Sequence, residues 1–211
     1  MNQQQKTMPF FEISLDELVT SDTHYGHNNV IQYCNRPFKD ADHMDTVMAS
    51  MHVATVQDRR YFHLGDWAFR GKNFKLGIKN RLTGYGVIVK GNHDPGRNNL
   101  VNDFGFKEAY LEAEGRFTET GQTFYMSHIP NKAMAQKYDF HFCGHVHCLF
   151  AKDENVINVG ADIWGYKPQT FRHIIANADA KQAARPTQLG VEQSLDARDK
   201  GIQERLMKEK Q

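Results

Sequence analysis

Short runs of β-prone residues recur along the chain and stop abruptly in polar clusters. Residues 17–20 lead into Ser21-Asp22, 61–64 into Gly65-Asp66, and 87–89 into Lys90-Gly91-Asn92. Further on, 123–126 lead into Ser127-His128, 140–143 into Gly144-His145, and 156–159 into Gly160. Bounded runs of this length predict strands, each delivering a polar loop at its end. Between the first two runs, Met44, Val47, Met48, Met51 and Val56 recur near helical spacing, which predicts an amphipathic crossover helix over 44–58. A shorter pattern of Phe74, Leu76, Ile78 and Leu82 predicts a second helix over 73–82. Strands alternate with helices in the first half and predominate from about 116 to 175, so the chain reads as a mixed α/β domain without internal repeats.

After Asn177 the composition turns to Ala, Gln, Asp, Lys and Arg, and the apolar residues thin out to Leu189, Val191, Leu195, Ile202, Leu206 and Met207. The expected division is a folded domain over 1–177 and a polar C-terminal tail over 178–211, in which Leu195, Ile202 and Leu206 would suit one face of a helix. The segment 14–20 is more polar than a buried first strand usually is.

A chain of 211 residues fits one domain of ordinary size with a short appendage. With 26 basic and 25 acidic residues, the net charge of +1 creates no global field to draw in nucleic acid or an anionic membrane, so any anion must be met locally. The apolar patch around 8–11 is too short for a secretory core, and no run approaches the ~20 apolar residues of a membrane span. Cys34, Cys143 and Cys148 lack CxxC spacing, which disfavours a disulfide framework or a thiolate zinc site and makes a reducing cytoplasm the expected home.

The polar clusters carry the chemistry: Asp22 and His24, Asp66, Asn92-His93-Asp94, His128, and His145 with His147. Oxygen and imidazole donors without thiolate suit divalent transition metals such as Mn, Fe, Ni, Co or Zn. In extended or loop backbone an Asp-x-His pair projects both side chains to one side, and His145-x-His147 does the same. Gly65, Gly91 and Gly144 precede Asp66, Asn92 and His145, where a crowded centre needs close backbone approach. The competing explanation, buried Asp and His groups that merely bond one another, is the weaker one for so many suitable residues at strand ends.

These five segments, in this order, resemble the calcineurin-like metallophosphoesterase superfamily, with the likeness extending from about 15 to 175. Ser21-Asp22-Thr23-His24-Tyr25-Gly26-His27, Asn35-Arg36-Pro37-Phe38 and Asn158-Val159-Gly160 resemble its small bacterial and phage-type phosphoesterases more than its protein Ser/Thr phosphatases. The resemblance implies an αββα four-layer fold, two packed mixed β-sheets flanked by helices. It also implies two divalent metal ions, with Mn the first choice in vitro and Fe, Ni, Co or Zn as alternatives. Asp22, His24 and His147 would hold the first ion, Asn92, His128 and His145 the second, and Asp66 would bridge them. His93 matches the family's catalytic histidine.

The implied activity is that of a hydrolase: in-line attack of a metal-bridging hydroxide on a phosphate ester, a diester somewhat favoured, with His93 steadying charge or protonating the leaving oxygen. The substrate class includes nucleotides and nucleic-acid ends. A phosphomonoesterase acting on a nucleotide or protein is the alternative. A non-catalytic interaction module on the same fold is the alternative of another class, and a missing ligand would have favoured it. One departure stands out: Phe69 occupies the place where protein phosphatases carry an Asp, so no carboxylate partner for His93 is evident. His27, Arg36 and Arg70 are possible substrate contacts, each weighed against a capping or solvated role. His63 reads as a core histidine bonded to backbone, and Cys143 and Cys148 as small hydrophobes rather than ligands. Tyr25 and Trp67 adjoin the loaded loops and read either as base-stacking groups or as packing beneath those loops.

Overall fold

Apolar residues on both phases of a period-two alternation bury the central strands of the first sheet on both faces. In β2 (Leu18–Thr20), β3 (Arg60–His63) and β4 (Tyr85–Val89), Val19, Phe62, Val87 and Val89 belong to a core shared with a second sheet. Leu18, Tyr61 and Ile88 belong to a separate core beneath helices. This arrangement comes from a computed structural model that describes residues 8–184. The strand order is β11 (Gln169–Thr170), β2, β3, β4, β5 (Glu108–Tyr110), parallel throughout except for β11.

Parallel neighbours require crossovers, and helices supply them. Two helices, α1 (Asn28–Tyr33) and α2 (Ala41–Val56), link β2 to β3, whereas α3 (Lys72–Lys79) links β3 to β4 and α4 (Arg97–Asn102) links β4 to β5. Met44, Met48 and Val56 of α2, Ile78 of α3 and Leu100 of α4 pack against the outer face of the sheet. The predicted 44–58 helix begins three residues early because the Asp40 carboxylate accepts from the His43 N–H at 2.8 Å, a cap contributing about 1 kcal/mol. It stops at Gln57, whose φ of 54° leaves the helical region. The predicted 73–82 helix ends at Lys79, since Arg81 and Leu82 bond back to Ile78 and Lys79 as tight turns.

The second sheet runs β1 (Phe10–Ile13), β6 (Glu112–Phe117), β7 (Thr123–Ser127), β8 (Phe140–Cys143), β10 (Val156–Asn158), β9 (Lys152–Asp153), with parallel and antiparallel pairs mixed. Phe117, Phe124, Met126, Phe142 and Ile157 meet the first sheet in the shared core. The result is the two mixed sheets flanked by helices that the family resemblance implied. The outer layers are unequal: among the described residues the second sheet's outer cluster involves one short helix, α5 (Lys132–Ala135), through Ala135 against Cys143 and Val156.

The last described element, α6 (Phe171–Ala183), replaces the strand-rich ending expected near 175. Thr170 caps it by accepting from the His173 N–H at 3.1 Å. It touches β9 and β11, an edge strand of each sheet, and so closes the margin between them with Phe171, Ile174 and Ala178. The helix passes through the 177/178 division that composition suggested; Gln182 still accepts from the Ala151 N–H at 2.8 Å. The apolar residues from Leu189 to Met207 lie outside the described residues. No described helix is long and apolar enough to cross a membrane.

Candidate metal centre

The C-terminal ends of β2, β3 and β4 in one sheet and of β7 and β8 in the other deliver their loops to one place. Crevices beyond the carboxyl ends of parallel strands are where open α/β sheets bind ligands. Backbone hydrogen bonds stitch the loops together: Asp22 N–H to the Gly65 carbonyl at 3.0 Å, His24 N–H to that of Asp66 at 3.0 Å, and Gly144 N–H to that of His128 at 2.9 Å. Ala161 N–H to the Ser21 carbonyl at 2.9 Å joins the two sheets at this point.

Two groups of donors result. Ligand atoms of Asp22, His24 and His147 lie within 4.8 Å of one another, and so do those of Asp66, His128 and His145. Asp66 stands between the groups, its Oδ2 3.6 Å from His24 Nε2 and 3.4 Å from His128 Nε2. Asn92 Oδ1 lies 3.0 Å from His128 Nε2 and 3.1 Å from His145 Nδ1. Donors held about 2.0–2.2 Å from a shared ion sit ~3–4 Å apart, so the set fits a pair of small divalent cations. His24 Nε2 supplies a second sign. It is buried without a hydrogen-bond partner, 3.6 Å from the Asp66 and 4.0 Å from the Asp22 carboxylate, and coordination would remove the ~1–3 kcal/mol that such a group costs.

Of the extended or loop backbone expected of Asp-x-His, the loop form is what aims these side chains. Asp22, His24, Asp66, His145 and His147 have φ of 53°, 49°, 57°, 69° and 48°, all in the left-handed region. Each such residue costs about 1–2 kcal/mol, though Asp and His tolerate the region better than most. The paired projection of Asp22 with His24, and of His145 with His147, is therefore made by sharp left-handed kinks rather than by strand alternation. Two glycines permit the crowding. A Cβ on Gly91 would stand 2.2 Å from Asp66 Oδ1, and one on Gly144 would stand 1.9 Å from Ser21 Oγ and 2.4 Å from Asp22 Oδ2.

Buried polar groups brace the loops from behind. Asp94 accepts from the N–H groups of Asp66, Trp67 and Gly91 at 2.8, 3.1 and 2.9 Å, tying the β3 loop to the β4 loop. The His128 ring places Nδ1 2.7 Å from the Leu64 carbonyl, leaving Nε2 for the centre. Asn158 donates to the carbonyls of His147 and Phe150 at 2.7 and 2.8 Å and shapes the loop that carries His147. His63 is buried, as read from the sequence, but its partner is the Thr23 hydroxyl at 3.0 Å rather than backbone. His141 does likewise for Ser127 at 2.8 Å.

Arg36 overturns its reading as a phosphate contact. Its side chain is 0 % exposed, paired with Asp162 and bonded to the carbonyls of Asp22 and Thr23, so it faces the interior. Asp162 has no local signature beyond lying shortly after Asn158-Val159-Gly160. Asp94 sits inside a segment already singled out, but its acceptor role depends on loops that meet only in space.

Burial and neighbouring charge set the protonation of these side chains. Burial opposes ionisation of Asp66, yet the His128 and His24 rings and the His93 N–H hold its carboxyl well below the usual range. Burial likewise opposes a charged His128, but Asp66 overrides it and pushes the imidazole up to about 9. Burial draws His145 down to about 4 and His24 well below the ordinary histidine value.

At the mouth, His93 places its ring 5.7 Å from that of His24 and 5.6 Å from that of Phe69, and its N–H donates to Asp66 Oδ1 at 2.9 Å. Phe69, 46 % exposed, stacks on His27 at 4.0 Å, and His27 in turn meets the exposed Tyr33 edge-on at 6.4 Å. The His93 side chain is thus flanked by the His24 and Phe69 rings, while its backbone N–H meets the Asp66 carboxylate. Arg70 is exposed, 3.5 Å from Asp42 and over the Phe74 ring. Tyr25 and Trp67 are buried and pack beneath the loops.

With this geometry in hand, the chain is a two-sheet α/β protein with a partly buried Asp/His/Asn centre of the kind that binds divalent cations. A model of the calcineurin-like phosphoesterase superfamily domain matches residues 16–181, and the chain belongs to that superfamily. Its members are typically hydrolases that bind divalent metals and act on phosphoesters. The chain is 28% identical over 166 residues to the uncharacterised protein MJ1445 of Methanocaldococcus jannaschii, covering 74% of this chain and 86% of that one. It also resembles the crystal structure of AQ665, a protein of unknown function from Aquifex aeolicus, with a TM-score of 0.60, 24% identity, and coverage of 76% of this chain and 97% of that one.

Proposed function

We propose that this protein hydrolyses a phosphate ester at a centre of two divalent metal ions, with a phosphodiester, such as a nucleotide or a nucleic-acid end, as the favoured substrate. The observation that carries the proposal is Asp66: one carboxylate oxygen stands 3.6 Å from His24 and 3.4 Å from His128, between two complete groups of donors. When bound, a pair of divalent ions supplies Lewis-acid activation of water and neutralises phosphate charge near neutral pH.

The residues would divide the remaining work. Asp22, His24 and His147 would hold one ion and Asn92, His128 and His145 the other, with Asp66 placed to serve both. His93, exposed beside both groups, donates a proton to the leaving oxygen; its N–H bond to Asp66 keeps the ring in register with the centre. The His27–Phe69 stack offers an aromatic ledge on which a leaving-group base would lie, in line with a nucleotide ester. Resemblance to the small bacterial and phage-type phosphoesterases favours a diester over a monoester.

The test compares bis-p-nitrophenyl phosphate with p-nitrophenyl phosphate as Mn, Ni, Co and Zn are added, metal content being measured on the same sample. Faster turnover of the diester with two ions per chain is the expected result. Preference for the monoester would make the protein a phosphatase. Two bound ions with neither ester turned over would point to a binding module.

A further inference from the structure

We propose that Asp162 is a positioning residue for the first metal ion, and that Arg36 clamps it so that one buried charge pair presets Asp22, His24 and His147 together. The inference rests on the reading of this centre as a metal site. Beyond it, the inference explains why a full positive charge is buried beside a place built for cations.

Every donor of the Arg36 guanidinium is engaged. Nε donates to Asp162 Oδ1 at 2.7 Å, and Nη2 to Asp162 Oδ2 at 2.9 Å and to the Asp22 carbonyl at 2.7 Å. Nη1 donates to the Thr23 carbonyl at 3.0 Å and meets Met44 Sδ at 3.3 Å. The two carbonyls belong to the peptides on either side of Thr23, the segment that kinks to aim Asp22 and His24. The same guanidinium holds both oxygens of Asp162, whose side chain is 1% exposed. Planar, two-pronged pairing of this kind fixes orientation as well as charge.

Asp162 Oδ2 then lies 2.9 Å from His147 Nδ1. A carboxylate there accepts the Nδ1 proton and fixes the tautomer that leaves the Nε2 lone pair free. That nitrogen faces Asp22 Oδ1 at 3.9 Å, and the ring stacks on His24 at 4.9 Å. Cys34 also lies within reach of Asp162 and His147. The Asp162 carboxylate acts here as the shared hydrogen-bond acceptor of Arg36 and His147. Among the described residues no hydrogen bond or ion pair joins this pair to Asn92, His128 or His145, and His128 is oriented by the Leu64 carbonyl instead.

The test strips metal from the full chain, titrates Mn back by calorimetry, and compares wild type with Asp162→Asn. Wild type should take up two ions. Asp162→Asn should bind one of them about 10–100-fold more weakly while the other is unchanged. Excess Mn should restore its turnover, because the residue acts through the ion. Equal weakening of both ions, no weakening, or lost turnover that excess metal does not recover would each overturn the proposal. Asp162→Asn leaves Arg36 without its counter-charge and can fail to fold, so a second measurement uses the intact protein. Histidine 15N spectra of the zinc-loaded wild type should show His147 protonated at Nδ1 and bound through Nε2, and binding through Nδ1 would refute the assignment. A wild type that takes up no ion would remove the metal centre itself along with this inference.

Discussion

The two halves of the centre are built from similar side chains but braced differently. Behind Asp22, His24 and His147 stands a buried ion pair drawn from two distant loops, with Thr23 leaning on His63. Behind Asp66, Asn92, His128 and His145 stand a backbone carbonyl, the Asp94 carboxylate, and Ser127 leaning on His141. Asn92 and His93 lie exposed, whereas Asp22 and His24 are sealed. The contrast teaches that the first half leans on a buried ion pair, whereas the second leans on a backbone carbonyl and a buried carboxylate that gathers N–H groups. Substitutions in these braces should therefore separate the halves.

The largest effect is expected where the halves meet. Asp66→Asn removes the shared charge, and metal analysis should find both ions depleted, with turnover down by at least ~10³-fold. Retention of either ion at wild-type affinity would show that the halves are independent. His93→Ala should keep both ions and lower turnover about 10²–10⁴-fold, read from initial rates on metal-replete protein.

Smaller effects are expected at the two glycines that permit the crowding. Gly144→Ala drives a methyl group into Ser21 and Asp22, and Gly91→Ala drives one into Asp66. Each should lower stability by about 1–3 kcal/mol in urea unfolding. Metal titration should find both ions weakened in each variant, because Gly144 also leads into His145 and bonds the His128 carbonyl, and Asp66 is shared.

Acid should act through the braces. Burial lowers His141 to about 4 and His63 to about 3, and it lowers His52, at the sheet's outer face, to about 4. These rings are neutral in the folded chain, whereas in the unfolded chain they charge near their ordinary value of 6.5. Their contribution is fully present above about 6.5 and declines as the pH falls through that value toward 4 and then 3. Thermal melting of the metal-free protein should show the midpoint falling over that window, and a flat profile between pH 7 and 4 would contradict it.

The residues that gather at the centre were legible in the sequence because strand-end position and residue chemistry are both local signals. The helix over 44–58 was legible for the same reason, since Met44, Met48 and Val56 do form its buried stripe. What escaped depends on partners far away. Phe10–Ile13 becomes a strand by pairing with Glu112–Phe117 about a hundred residues later, and its own four residues show no alternation. Phe171–Ala183 is anchored by Phe171, Ile174 and Ala178, with Ile175 beside them, and a core alanine is silent in any hydropathy pattern. Arg36 and Asp162 stand 126 positions apart, so the arginine read as a solvent or substrate group. Nor does residue type announce a left-handed φ at Asp22 or His147.

That left-handed cluster bears on how such a protein would drift. Glycine occupies the conformation without penalty, so at each of these five positions a ligand-erasing change to glycine would relax the backbone it sits on. A library sorted only for heat endurance would accumulate such changes and arrive at a sturdier, inert fold. Only selection for what the centre does can keep these coiled residues in place.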